Sequence, residues 1–439
     1  MEYLQPEAGA ASGGIVAPKT PAREPFTATK REQNAALWMY PLAYLYVRAL
    51  DAAHPRVLLA AFTLGFLALG EYLHRDTPRG RETRVWLGCV LTVCAAVALG
   101  RGRAWDEGVP VLFLHVFGVW WALSRADALL AGESGRLLPL DALDGFLLFP
   151  LRWFFLRPRA VGVWLGRLFA SRRRNPPEAA ALVRTSVISA AALGLFALAA
   201  GLLGDADARF AALLDDAFAL LRFDWNLAFL ERLTPRLLLS LPVGAYCFAL
   251  LGGTAREDKA ALRARAAAVD GTLAAVRGVP ERVWLVLLSL FCALYALFFA
   301  VQGRYLFGAF TRTLPEGFIV SEYARRGFFE LCEVMAVNFA LLWLAARSMR
   351  EDIRTRRAAR TLCLALLAES LLLAVVALSK LWLYIDCFGF TPRRLQSTWL
   401  VCVLAFGCVC AAWSLARGTK TFRAWMAFGA VTLSALCLY

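Results

Sequence analysis

The chain has 439 residues, 60% of them hydrophobic, and a mean hydropathy of +0.57. Soluble domains are nearer about 45–50% apolar, so the two or three soluble domains that the length alone would allow are excluded. The net charge of +15 comes in short clusters between apolar runs, the pattern of membrane topology. No basic domain or recognition motif for nucleic acid accompanies it.

Residues 1–34, rich in Ala, Gly, Pro and charge, read as a disordered cytoplasmic tail, with no apolar run that would make a signal peptide. Eleven apolar segments then follow as candidate membrane helices. They are 35–50, 57–73, 85–100, 109–124, 183–203, 237–252, 283–302, 328–346, 362–384, 399–416 and 422–438. The first is the weakest, because it is short and contains Pro41 and Arg48. The expectation is an all-α polytopic bundle of about eleven spanning helices, with ten as the alternative. Residues 35–280 form an N-terminal membrane region and residues 281–439 a C-terminal one.

Charge orients the bundle. The tail and the stretches 75–84, 125–182, 253–282, 347–360 and 417–423 hold roughly 32 of the 48 basic residues. Eleven crossings put them all on the cytoplasmic side, with the N-terminus inside and the C-terminus outside. Ten crossings keep the same loops inside and move the tail out.

Three connections are more than turns. In 145–170, Val161, Trp164, Leu165 and Leu168 share one helical face, and Arg159 and Arg167 lie off it. This predicts either an interfacial helix on the cytoplasmic leaflet or a helix packed under the bundle. In 205–233, Phe210, Leu213, Leu214, Ala217, Phe218 and Leu221 form a stripe apart from Asp215, Asp216 and Arg222, predicting an amphipathic helix on the outer surface. Residues 255–277, rich in Ala and charge, read as a cytoplasmic helix.

The eleven cysteines mostly lie inside apolar runs and include no C-x-x-C pair; the expectation is small hydrophobes, with Cys332 and Cys387 close enough to the outer face to meet. His54, His74 and His115 are too scattered to hold a metal. No cofactor is implied, and no catalytic residue is assigned.

The C-terminal third carries the most polar information. Tyr305-Leu-Phe-Gly308, Tyr323-Ala-Arg-Arg-Gly-Phe-Phe-Glu-Leu331 and Lys380 with Tyr384…Phe388-Gly-Phe-Thr391…Arg394 all fall on the predicted outer face. Arg325 and Arg326 are expected just before a helix, at headgroup depth. Glu330 and Glu333 lie about one turn apart. Asn338 and Glu369 lie deeper, and Lys380 sits near the outer end of its helix. Charge in a membrane is costly unless paired, so Lys380 is expected within reach of Glu330 or Glu333. Arg325, Arg326, Glu330, Glu333, Lys380 and Asp386 are the candidate binding residues for an outward-facing polar pocket. Its expected partners are membrane lipids or a small anionic ligand. A purely structural ion-pair network remains the competing reading, and a scaffold, a transporter or an intramembrane enzyme remain competing functions.

These three signature stretches resemble a family of bacterial multi-pass membrane proteins known as domain of unknown function 4173. The chain departs mildly, with Phe388-Gly-Phe-Thr391 where that family more often has Tyr-Gly-Leu-Thr, which puts a hydroxyl role there in doubt. The resemblance implies a membrane architecture and the location of a site, and no chemistry.

Overall fold

The computed structural model describes residues 26–50, 55–101, 108–172, 227–311 and 320–439, as backbone alone at 170–172, 227–234, 302–311 and 320–327. The predicted span at 183–203 and the predicted outer helix at 210–221 lie outside the described residues. Among the described residues there is no strand, only an isolated bridge between Val279 and Met349.

In chain order the helices are α1 (Lys30–Ala49), α2 (Pro55–Leu73), α3 (Arg81–Ala98), α4 (Gly108–Arg125), α5 (Leu138–Leu143), α6 (Phe149–Arg152) and α7 (Leu156–Arg172). After the undescribed segment come α8 (Leu227–Phe248), α9 (Lys259–Ala275), α10 (Glu281–Thr311), α11 (Val320–Ser348), α12 (Arg357–Phe388), α13 (Pro392–Arg417) and α14 (Phe422–Cys437). Among the described residues, seven stretches are long and apolar enough to cross a membrane: Pro55–Leu73, Gly108–Arg125, Pro235–Arg256, Glu281–Val301, Phe328–Ser348, Arg357–Phe388 and Pro392–Arg417. α14 is apolar but shorter, at 16 residues. α1 and α3 occupy predicted spans but begin on charged turns, Lys30-Arg31-Glu32 and Arg81-Glu82.

Local chemistry explains several ends. Thr29 and Glu32 form a capping box that starts α1: the Glu32 N–H donates to Thr29 Oγ1 at 3.2 Å, and the Thr29 N–H donates to Glu32 Oε2 at 2.8 Å. α12 ends at Gly389, whose φ of 77° favours glycine. Two π-helical turns, Asp144–Leu148 between α5 and α6 and Ala249–Gly253 after α8, widen the backbone and change its hydrogen bonding. The Tyr246 hydroxyl donates to the Phe146 carbonyl at 2.8 Å, and Thr254 Oγ1 donates to the Leu250 carbonyl at 2.6 Å.

Ion pairs tie the basic-rich stretches to one another at one end of the bundle. Arg256 pairs with Glu32 at 2.5 Å, and Arg31 with Asp76. Arg263 meets Asp127 at 2.7 Å and Arg265 meets Asp144 at 2.8 Å. Arg423 reaches both Glu133 at 2.7 Å and Glu82 at 3.4 Å, and Arg356 reaches Glu281 at 3.2 Å. These pairs link the first turns of α1, α3 and α14, the α2–α3 and α4–α5 connections, the π turn at Asp144 and the stretch 256–265, and a further pair links the start of α10 to the α11–α12 connection. α7 packs deeper at its start: Arg157 is buried, donates to the Ala36 carbonyl at 3.1 Å and stacks over Tyr40, two to three turns inside α1. Further along α7, Leu165 and Phe169 are exposed.

A large core joins α1–α8 with α14, through Ala430, Leu433 and Cys437. Two further cores lie among α10–α13. Outward faces are apolar: Leu290, Leu294, Leu297 and Val301 form an exposed stripe on α10. An exposed row at helical spacing of this kind faces lipid in a spanning helix, where it costs nothing.

The N-terminal half also holds a partly open cavity of about 520 Å³ between α1, α2, α4 and α8.

Candidate functional site

The end opposite the basic one is built by the first turns of α11, the last turns of α12 and the start of α13. α11 begins at Val320, so Arg325 and Arg326 lie inside the helix instead of just before it. One glycine, Gly327, costs a helix only about 1 kcal/mol, and the residues before it carry no proline to stop the helix extending back. The side chains of Arg325 and Arg326 are not among those described.

Lys380 is 1% exposed. The reason is its position on the buried face of α12, in register with Leu373, Val376, Ala377 and Leu383. An ammonium there is desolvated, and Glu330 on α11 acts on it electrostatically. Phe328 and Leu331 on α11 are buried beside the same core. Glu330 itself, Glu333 and Asp386 are exposed.

The Tyr384-to-Arg394 stretch forms one turn. Gly389 closes α12, and the Arg394 guanidinium returns to donate to the Gly389 carbonyl. It lies 4.0 Å over the Tyr384 ring and 5.9 Å over Phe388. Phe390 meets Tyr439 edge-on, with ring centroids 6.0 Å apart. The aromatic faces at this end therefore hold an arginine by cation–π contact, which explains why Phe serves at 388 as well as Tyr would. Cys332 and Cys387 are both free, as are the other nine cysteines.

A second polar group lies at mid-depth, and sequence reading only half found it. The Tyr295 hydroxyl donates to Asn338 Oδ1 at 2.7 Å, Asn338 Nδ2 donates to Ser370 Oγ at 2.8 Å, and Ser370 Oγ donates to the Leu366 carbonyl at 2.8 Å. All three side chains are buried. Each sits about 15–21 Å along its helix from the basic end at 1.5 Å per residue. Glu369 lies beside Cys292 at the same level, half-buried, with Oε2 shielded from solvent. Asn338 and Glu369 stand out in sequence as polar residues in apolar runs. Tyr295 and Ser370 do not, because each is common in such runs.

Near the basic end two buried ionisable groups are set by their surroundings. Burial, reinforced by the Arg125 charge, holds the His74 imidazole down to about 4. Burial pushes Asp141 up to about 6, against the Leu130 N–H that donates to its Oδ1 at 2.8 Å. Among the described residues no group of three His, Cys, Asp or Glu is placed to hold a metal ion.

An all-α bundle with several apolar spanning helices and exposed apolar faces defines a multi-pass membrane protein. Residues 61–439 match the family model described as Domain of unknown function (DUF4153), and the chain belongs to that family. The signature stretches implied a family of unknown function; the match is to this one and not to domain of unknown function 4173. No curated protein and no solved structure matches the chain.

Proposed function

We propose that the protein binds an anionic group, either a lipid headgroup or a small anionic solute, at the polar end of α11 and α12. The observation that carries this is the burial of Lys380, an ammonium kept at 1% exposure in an apolar helix face with Glu330 acting on it. Such a cation is costly to maintain, and recognition of an anion is a use that repays it. In this reading Glu330 positions the ammonium, Arg325 and Arg326 supply further charge from the first turns of α11, and Glu333 and Asp386 line the rim. The site opens outward, away from the basic end. The N-terminus then lies in the cytoplasm and the C-terminus outside the cell membrane after eleven crossings.

The test is retention of anionic lipid through purification, read by native mass spectrometry beside thermal melting. Lys380→Gln and an Arg325→Ala/Arg326→Ala double variant are expected to reach the membrane and melt cooperatively while losing the bound anion. Normal retention in both folded variants removes the pocket and leaves a scaffold built on ion pairs. For sidedness, a reporter after Tyr439 is expected outside and one on the N-terminal tail inside.

A transporter is the second reading, favoured by one observation. Glu369 places a carboxylate at mid-depth beside Cys292 and the Tyr295–Asn338–Ser370 chain, where ion pathways usually run. Anion flux in proteoliposomes that disappears in Glu369→Gln but leaves anion binding intact would favour it.

A further inference from the structure

The cavity in the N-terminal half has walls unlike those of the Lys380 end. Its lining includes Tyr46, Thr63, His115 and Tyr246, yet the wall is almost wholly apolar, because each of those groups spends its donor inside the protein. Thr63 Oγ1 donates to the Leu59 carbonyl at 2.8 Å, and the Tyr246 hydroxyl donates to the Phe146 carbonyl at 2.8 Å. His115 Nδ1 lies 2.6 Å from the Val111 carbonyl, which only accepts, so that nitrogen carries the proton. His115 Nε2 is then the acceptor for the Tyr46 hydroxyl at 3.0 Å. Among the described residues no lysine or arginine lines the cavity.

Three physical consequences follow. Water is a poor filler, because apolar cavities without free hydrogen-bonding partners stay dry. A charged head is a poor occupant of the cavity itself, because it would be desolvated with no cation and no free donor to meet it. A plain hydrocarbon chain satisfies the wall completely. The dimensions agree: along α8 the lining runs from Leu239 to Leu250, about 16 Å at 1.5 Å per residue. One leaflet of a bilayer has a hydrocarbon depth of about 15 Å, half of the whole core.

We propose that this cavity is an intramembrane binding site for one acyl chain of a bilayer phospholipid, whose headgroup stays at the membrane surface. The helices that form it, α2, α4 and α8, are spanning stretches, so the ligand reaches it sideways from the membrane. The site is separate from the Lys380 end and reads no headgroup charge.

Gly118 offers a clean test. It lines the cavity, and a Cβ built on it meets nothing within 4 Å, so Gly118→Leu grows into the cavity without a clash at its first atom. Gly88 has the same open surroundings on an exposed face of α3, and Gly88→Leu is the control. The full-length protein is delipidated in detergent and titrated with a phosphatidylcholine with 16-carbon chains, a zwitterionic lipid chosen to leave the Lys380 end out of the readout. Native mass spectrometry is expected to show one lipid held per chain. Gly118→Leu is expected to weaken that binding at least about tenfold and, without lipid, to melt no lower than the unsubstituted protein. Gly88→Leu is expected to bind normally.

A photoreactive diazirine on the lipid tail gives a readout that needs no variant. Labelled peptides are expected from 114–119 and 239–250. The proposal is overturned if a folded Gly118→Leu keeps the lipid, if Gly88→Leu loses it equally, or if labelling falls only on the outer faces of the helices.

Discussion

The two halves of the bundle handle polarity in opposite ways. In α1–α9 most charge lies at the helix ends, above all at the basic end, where Glu32, Asp76, Asp127 and Asp144 meet arginines across long sequence separations; Arg157 is a buried exception, and the rest of the interior is apolar enough to leave a cleft with hydrocarbon walls. In α10–α13 polar groups enter the spans: a neutral ladder of Tyr295, Asn338 and Ser370 at mid-depth, Glu369 beside it, and Lys380 nearer the far end. The difference follows depth. Full charges cluster where water can share the cost, and neutral hydrogen bonds occur where it cannot. Lys380 and Arg157 both break that rule; Arg157 is met by the Ala36 carbonyl and the Tyr40 ring, whereas Lys380 lies beside the exposed carboxylates of the far end, which is why it marks a candidate site.

The largest expected effect lies at the basic end. Arg125 is buried and donates to Glu71 Oε2 at 3.1 Å, to Thr77 Oγ1 at 2.8 Å and to the His74 carbonyl at 2.5 Å. Arg125→Met leaves Glu71 with Arg79 alone, at 3.0 Å, strips Thr77 Oγ1 and the His74 carbonyl of their donor, and is expected to cost about 3–5 kcal/mol in thermal or denaturant melting. A loss under about 1 kcal/mol, the range of exposed pairs, would mean that water already shares this network, and the contrast between halves would weaken.

Next come the two buried titrating groups, which oppose each other. His74 binds its proton at about 4 in the fold and near 6.5 in the unfolded chain. Its contribution is complete above 6.5 and is lost as pH falls toward 4. Asp141 binds its proton at about 6 in the fold and near 3.9 unfolded. Its contribution is complete below 3.9 and is lost as pH rises through 6. Each amounts to on the order of 3 kcal/mol, so the intact protein should show a nearly flat stability between pH 4 and 6.5. Asp141→Asn should be more stable than the intact protein at pH 7 and should lose stability on acidification, whereas His74→Leu should gain stability on acidification over the same window. Parallel pH profiles for the two variants would show that one of the groups is not buried as described.

Much of this architecture is legible in the sequence. Apolar runs locate the described helices, and the clustering of arginines anticipates the stretches that ion pairs join. The partners themselves are not legible. Glu82 meets Arg423 only because α14 packs on α3, a fact of helix order in space that no local pattern encodes. The Tyr295–Asn338–Ser370 ladder needs three helices at the right rotation. The cavity is invisible in sequence for a different reason: its lining residues are individually ordinary, and only their shared gap is unusual. Conversely, Lys380 is readable as an anomaly, since a lysine in register with Leu373, Val376 and Ala377 breaks the apolar stripe.

A smaller effect tests the neutral ladder. Asn338→Leu removes the acceptor for Tyr295 and the donor to Ser370, but Ser370 keeps its bond to the Leu366 carbonyl. Hydrogen bonds between membrane helices average about 0.6 kcal/mol and reach about 1.7, so a loss of about 1 kcal/mol is expected, well below that of Arg125→Met. A loss as large as that of Arg125 would place the energetic centre of the fold at mid-depth and reverse the comparison.

The smallest effect concerns the turn that closes the Lys380 end. Arg394 lies over the face of Tyr384 at 4.0 Å and donates to the Gly389 carbonyl, so the ring acts through its π face. Tyr384→Phe keeps that face and should leave melting unchanged. Tyr384→Leu removes it and should cost about 0.5–1 kcal/mol, the range of exposed cation–π contacts. Arg394→Lys should cost a similar amount, because an ammonium has neither the flat guanidinium stack nor its fork of donors to reach the carbonyl as well. Equal losses for Tyr384→Phe and Tyr384→Leu would transfer the role to the hydroxyl. The far end would then use a directed hydrogen bond like those of the ladder, and the depth rule would have to extend to the membrane edge.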